Sequence, residues 1–467
     1  MKLTFIADLH HYSETLGTTG RAYELRSGSD QKCLGETGAV IDSAFKKIAE
    51  SDTEAVVILG DITNNGEIVS HKEVREKLYE LKKRKPVYVI TATHDWCCDK
   101  NPRRFEGAST FHDVPVMKHE NLRDFYKDFG PDEAKSEFIT HLGTCSYTVD
   151  VGENVRLLCL NDDQNGKGRA GYKDDHFDWI ENEIKKAREE GKFLIGAQHH
   201  LIMAHIHPML AKGSTCVGDK EKVASRLADA GLRYIFVGHS HIQHINSFTS
   251  PAGNTIYEIN VGSLVGYPSP IIEVEITDDR MHIETQHPDK FTYKGMSYDT
   301  LSYTKKHSLM LVDHIFNAAE KGKDEFCDRL SALGIPQDKS ALLYIIAHPM
   351  IKYVKGFTVG EGYKKLKLFG MGKLFEKSLI EEFKHKNVMD FAYEIFLSAL
   401  DGSTVRHPKG SSYYRIVMSF MAIPLKIKDV ELTRGLYGAV ESILIGSKWD
   451  INKCDLPNLY KKKRALP

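Results

Sequence analysis

Five short groups in this chain pair carboxylates and imidazoles at spacings that could hold metal ions. They are Asp8-Leu9-His10, Gly60-Asp61, Thr93-His94-Asp95, His199-His200 and Gly238-His239-Ser240-His241. Carboxylate oxygen and imidazole nitrogen are the ligands that borderline divalent cations prefer. Two aspartates and four or five histidines exceed what one cation needs. They suit two cations sharing one carboxylate, an arrangement that clamps the attacking and leaving oxygens at phosphorus. Taken alone, each group has a plainer explanation, since Asp-x-His arises by chance and a loop histidine is commonly just hydrogen-bonded. Their shared position argues against coincidence.

Each group stands just past a short apolar run. The runs are residues 2–7, 55–59, 87–91, 155–160, 193–197 and 234–237, rich in Val, Ile, Leu and Phe. Between them lie helical patterns such as "AVIDSAFKKIAES", "HKEVREKLYELKKR" and "DDHFDWIENEIKKAREE". This alternation predicts an α/β domain with a parallel or mixed sheet. Ligands in open α/β sheets gather beyond the carboxyl ends of strands, so the five groups should converge. The runs at 255–262 and 270–277, followed by "MHIETQH", read as hairpin strands of a second sheet. Two stretches interrupt the rhythm, residues 11–36 and 96–145, and insertions of that length are usually functional loops or lids.

After residue 301 the pattern changes. Leu311, Ile315, Phe316 and Ala319 recur at helical spacing, as do Phe383, Val388, Phe391, Ile395 and Phe396. The expected organisation is a catalytic domain over 1–300 and a mainly helical domain over 301–467. The helical half should cap the catalytic domain or form a subunit contact, because its aromatic-rich helices must bury a face. Length supports two cores rather than one, at 467 residues. Formal net charge is -1, which excludes a chain-wide field for nucleic acid or an anionic membrane. Charge is uneven, with about 9 excess positives after residue 301. The eight cysteines contain no Cys-x-x-Cys pair, which suits reduced thiols in a cytoplasm. Adjacent Cys97 and Cys98 read as unpaired loop residues. No apolar run approaches a membrane span.

The motifs resemble those of the calcineurin-like metallophosphoesterase superfamily: Asp-x-His, Gly-Asp, Gly-Asn-His-Asp/Glu, a strand-end His, then Gly-His-x-His. The resemblance covers about residues 1–285 and leaves the helical half outside. It implies two packed mixed β-sheets flanked by helices, a four-layer α/β sandwich. It further implies hydrolysis of phosphate mono- or diesters by attack of a metal-bridging hydroxide. The cofactor would be two divalent ions, with Mn, Fe or Zn the natural choices, and the substrate a small phosphorylated molecule.

By motif match, Asp8, His10 and His241 would hold one metal, His199 and His239 the other, and Asp61 would bridge. His200 is the weaker claimant within its pair. His94 would act as the acid toward the leaving oxygen, and Asp95 would fix its tautomer through the other ring nitrogen. Thr93 stands where the family usually places a ligating Asn, and Ala92 where it places glycine. A hydroxyl is a poorer donor to a cation than an amide oxygen, so Thr93 is expected to be a detuned ligand of a weakened second site. Water would complete that site, with Asn65 or His207 as substitutes from other loops.

Other residues are read more weakly. Asn64 and Asn65 could orient Asp61 or touch substrate, although turn formation alone explains them. Arg21, Arg26, Arg103 and Arg104 could grip phosphate bidentately, and His205 and His207 could contact substrate at the mouth. Asp162 and Asp163 precede "QNGKG", so a turn accounts for them. The closing "YKKKRALP" reads as a frayed basic tail. Two alternatives stand beside the esterase: a nuclease using the same metals, disfavoured by the acidic metal-bearing half, and a non-catalytic scaffold of the same fold. Retention of Asp61, His94 and both Gly-His-x-His histidines argues against the scaffold.

Overall fold

The structure, a computed structural model, describes residues 1–205, 207, 215–332, 337–402 and 407–460. Its centre is two β-sheets packed face to face. The first has six strands, in the order Lys453–Pro457, Arg280–Gln286, Ile271–Ile276, Lys2–Ile6, Ala55–Leu59, Val87–Ile90. The second has seven, in the order His244–Thr249, Thr255–Asn260, Tyr234–Val237, Phe193–Ala197, Val155–Cys159, Cys145–Val151, Ser136–Ile139. All five residues of Ala55–Leu59 are buried, as are those of Phe193–Ala197. Strands covered on both faces read as continuous apolar runs rather than alternating ones.

One core lies between the sheets, where the Phe5 and Phe236 rings stack at 3.8 Å. Helices Thr37–Glu50 and Ile68–Lys82 cover the outer face of the first sheet through Val40, Ile41, Ala44, Val74 and Leu78. Helices Asp174–Glu189 and Lys220–Ala230 cover the second sheet through Phe177, Ile180, Ile184 and Leu227. In each helix the apolar residues fall three or four apart, giving one stripe toward the sheet. The four-layer sandwich with a C-terminal helical segment is therefore present.

Topology places the chemistry. Lys2–Ile6, Ala55–Leu59 and Val87–Ile90 run parallel, as do Val155–Cys159, Phe193–Ala197 and Tyr234–Val237. Within each sheet their carboxyl ends share one edge, and the five groups stand on those edges.

Two expectations about strands need correction. The runs at 255–262 and 270–277 do not share a sheet. Thr255–Asn260 pairs with His244–Thr249 and Tyr234–Val237 in the second sheet, whereas Ile271–Ile276 and Arg280–Gln286 form a hairpin in the first. The buried connection between them crosses from one sheet to the other. It is pinned by Leu264 N–H on the Ala7 carbonyl (3.0 Å) and Ser263 Oγ on the Asp8 carbonyl (2.8 Å).

The segment after 301 is not helical to its end. Helices run from Thr300–Lys321 to Glu431–Ile445, and then Lys453–Pro457 pairs antiparallel with Arg280–Gln286. Beyond it the Tyr460 hydroxyl donates to the Leu194 carbonyl at 2.9 Å, so the expected basic tail is anchored at its first residue. Residues 461–467 lie outside the described residues.

The two insertions fold against each other. Tyr12, Leu16, Ala22, Tyr23 and Leu34 of the first pack with Phe105 and Val114 of the second. The helical segment lies on the first insertion and on the loop after Tyr234–Val237. The His307 ring donates to the Asp30 carbonyl (2.8 Å), Gln243 N–H donates to the Leu400 carbonyl (2.9 Å), and Tyr267 packs with Leu397 and Leu400. Among the described residues no helix is long and apolar enough to cross a membrane.

Candidate metal centre

Strand ends deliver the candidate ligands, and the backbone is bent where they stand. Asp8, His10, Asp61, His239 and His241 all have φ between 40° and 67°. Left-handed backbone is costly for residues other than glycine and persists where surrounding structure over-determines it, commonly at functional sites. Two glycines make room. A Cβ at Gly238 would lie 2.7 Å from an Asp8 carboxylate oxygen, and one at Gly60 would lie 2.8 Å from His199 Nδ1.

The side chains converge as two triads and a link. Asp8, His10 and His241 form one group and Asp61, His199 and His239 another, while Asp61 also groups with His10 and His94. His10 Nε2 lies 2.9 Å from His241 Nε2, and Asp8 Oδ1 is 3.5 Å from His241 Nε2. Asp61 Oδ2 is 3.1 Å from His199 Nε2 and 3.7 Å from His10 Nε2, so its carboxylate faces both triads. His199 Nε2 and His239 Nδ1 are 3.2 Å apart.

Lone-pair atoms brought this close repel unless a proton or cation lies among them, so the donor set fits two divalent cations. The supporting contacts agree. His199 donates its other ring N–H to the Leu59 carbonyl at 2.7 Å, which leaves Nε2 bare for a metal. The His239 N–H donates to Asp8 at 3.0 Å, and the His94 N–H donates to Asp61 Oδ1 at 3.0 Å.

Electrostatics follows from burial against charge. Burial alone would raise the Asp8 carboxyl, but the facing His241 and His10 imidazoles outweigh it and hold the carboxyl well below its usual range. Burial, with Lys32 nearby, pushes His10 down to about 3, so its ring is neutral near pH 7, the form a metal ligand requires. Burial and the neighbouring His200 and His199 rings lower His239 as well.

His94 is oriented differently from expectation. Asp95 does not reach its ring. The Asp95 carboxylate accepts from the Thr63 N–H (2.9 Å) and the Ala92 N–H (2.8 Å), bracing the turn Thr93–Trp96 from below. The His94 Nδ1 proton goes instead to the Asn64 carbonyl at 2.5 Å, with Asn65 Oδ1 at 3.1 Å. Asn64 and Asn65 thus serve His94 rather than Asp61. A backbone carbonyl is a fixed acceptor, so it sets the tautomer as well as a carboxylate would.

Lys32 was not singled out from the sequence. It is buried in the first insertion, and its Nζ donates to Asn64 Oδ1 at 3.0 Å, with Asp30 at 3.7 Å. Nothing in its spacing marks it, because a lysine in an aperiodic loop carries no pattern. Arg26 is taken up by an ion pair to Asp30 at 2.5 Å, and Arg21 is exposed. Arg104 pairs with Asp113 (2.7 Å), while Arg103 is half-buried.

His205 is held in a buried chain, with Nε2 at 2.7 Å from Glu258 and Nδ1 at 2.9 Å from His244. His207 stands against Gly438 of helix Glu431–Ile445 and belongs to none of the groups above. Thr93 opens its turn, and its carbonyl accepts from Cys98 N–H at 3.1 Å. Cys97 and Cys98 are both free thiols.

Asp162 and Asp163 are more than turn formers. Both are buried beside His200, whose N–H donates to Asp162 Oδ2 at 2.8 Å. Burial and the adjacent Asp162 charge push the Asp163 carboxyl up to about 6.

A family model described as calcineurin-like phosphoesterase matches residues 1–243. Among solved structures, a dimetal phosphatase from Danio rerio is similar at 13% identity and TM-score 0.41, over 64% of this chain and 99% of that one. A purple acid phosphatase from yellow lupin seeds gives 10% identity and TM-score 0.39, over 64% and 52%. A 5'-nucleotidase precursor from Thermus thermophilus gives 13% and 0.34, over 77% and 60%. No curated protein sequence matches the chain.

Proposed function

Because this chain belongs to the calcineurin-like phosphoesterase family and is accordingly a metal-dependent phosphoester hydrolase, we propose that it hydrolyses small phosphate mono- or diesters at the strand-end centre. The observation that carries this reading is the shared position of Asp61, grouped with His199 and His239 on one side and with His10 and His94 on the other. Asp8, His10 and His241 would hold one cation, His199 and His239 a second, with Asp61 between them. When bound, the two cations supply positive charge to the phosphoryl oxygens and lower the pKa of a water, providing a nucleophile near neutral pH.

The chain's own residues do the rest. The Asn64 carbonyl fixes His94 through Nδ1, which leaves Nε2 as the ring atom that can deliver a proton to the leaving oxygen. The Lys32 ammonium holds the Asn64 side chain and so keeps that carbonyl in place. Burial of Asp8, His10, Asp61 and His199 excludes bulk water, so the fixed charges act at low dielectric. Mn, Fe and Zn all suit the mixed carboxylate and imidazole donors.

The test is turnover of bis-p-nitrophenyl phosphate against p-nitrophenyl phosphate by metal-stripped protein given each of these ions. Metal-restored hydrolysis of either ester is expected, and the ratio ranks diester against monoester. Absence of turnover on both, with metal demonstrably bound, would remove the proposal.

A further inference from the structure

We propose that Asp162, Asp163 and His200 form a third divalent-cation site, adjoining the pair but sharing no residue with it. One potential ligand atom from each of the three lies within 4.8 Å of the others, and all three residues are buried. Asp162 Oδ1 is 3.2 Å from His200 Nδ1. Tetrahedral coordination with bonds of the usual zinc length puts neighbouring ligand atoms about 3.4 Å apart, so this edge is already close to a metal's.

The second observation is an orphaned oxygen. Asp163 Oδ2 accepts from Trp96 Nε1 (3.0 Å) and from Asn161 Nδ2 (3.2 Å). Asp163 Oδ1 is equally buried and has no hydrogen-bond partner among the described residues. Two adjacent buried carboxylates facing one imidazole are short of positive charge, and buried charge is tolerated when paired or coordinated. A divalent cation supplies that charge and a partner for the orphan at once.

The surroundings suggest what the ion would do. The His200 ring lies 4.3 Å from the His239 ring and 5.1 Å from the His199 ring. Through Trp96, Asp163 is tied to the turn that carries His94. A cation here would clamp two strand-end loops of the second sheet together behind the second triad, positioning its residues without meeting substrate, and reach the first sheet only through Trp96. Carboxylate and imidazole donors favour Zn²⁺ or Mn²⁺.

Anomalous diffraction at the zinc edge, from crystals of the full chain equilibrated with Zn²⁺, tests this directly. A peak bounded by Asp162, Asp163 and His200 is expected. Mass-spectrometric metal counts should then show Asp163→Asn holding one equivalent less than wild type. Asp61→Asn should keep this peak while losing metal at the pair. Zinc at the pair with no peak here, or an unchanged count in Asp163→Asn, overturns the proposal. Should Asp163→Asn fail to fold, the wild-type map decides alone. A peak here with the pair empty would support this site while removing the proposed function.

Discussion

The two halves of the centre are built to different standards. In the first, Asp8, His10 and His241 all sit on left-handed backbone, and their donor atoms interlock around a 2.9 Å contact between imidazoles. In the second, only His239 is so constrained besides the shared Asp61, and the Thr93 hydroxyl is expected to be a poorer donor than an amide oxygen. Strain held by the fold is a sign of fixed geometry. The difference leads us to expect metal affinity to be divided unequally, with the first half preorganised and the second depending on Asp61 and on what Thr93 contributes.

The strongest way to break this contrast is Asp61→Asn, which removes the charge both halves share. Metal content should fall in both, and activity should drop further than in any variant below; full occupancy by metal analysis would show that Asp61 is not shared. Next is His94→Ala, which removes a proton donor without removing a ligand. We expect kcat to fall roughly a hundredfold or more with metal retained, and less for esters whose leaving groups need no proton. A parallel fall in metal content would make His94 a ligand instead.

Lys32→Met should have an intermediate effect. Loss of the hold on Asn64 loosens the His94 carbonyl partner, and roughly a tenfold loss of kcat is the scale for such indirect support. Rescue by Lys32→Arg, and an altered leaving-group dependence in Lys32→Met, would separate positioning from mere destabilisation; unchanged kcat in Lys32→Met would dismiss the role. The smallest effect belongs to Thr93→Asn. Wild type as purified should carry fewer than two metals at the pair and respond to added Mn²⁺, and Asn should raise occupancy and blunt that response. Two metals per pair that survive chelator dialysis in wild type would end the idea of a detuned half.

Much of this candidate site could be read from the chain because its carboxylates and imidazoles follow strands directly, and a buried strand announces itself as an apolar run. The partners of those side chains could not. The Asn64 contact with His94 runs through a backbone carbonyl, which every residue possesses, so no residue type points to it. Lys32 reaches the site only because an aperiodic insertion folds back, and Asp162-Asp163 looked like a turn because the glycine-rich stretch after it is one.

The fold divides similarly. Period and composition distinguish strand from helix, but sheet membership depends on where a connection crosses, which is why the runs at 255–262 and 270–277 read as one sheet. Lys453–Pro457 has almost no pattern to read, because it is an edge strand in which only Leu456 is fully buried.

That last strand carries a consequence for biosynthesis. The strand Lys2–Ile6 leaves the ribosome well before Lys453–Pro457, which joins the same sheet only after the helical segment has been made. Until then the outer side of Arg280–Gln286 lacks the strand that pairs with it in the finished sheet, while the whole helical segment is translated. Limited proteolysis of stalled nascent chains ending before 453 should cut near this edge, and protection there would show that another element shields it. Co-translational folding is thus left with an open seam, and the helices made in between, already lying on the first insertion and the histidine loop, are the part of the chain available to hold the catalytic layers together while they wait for it.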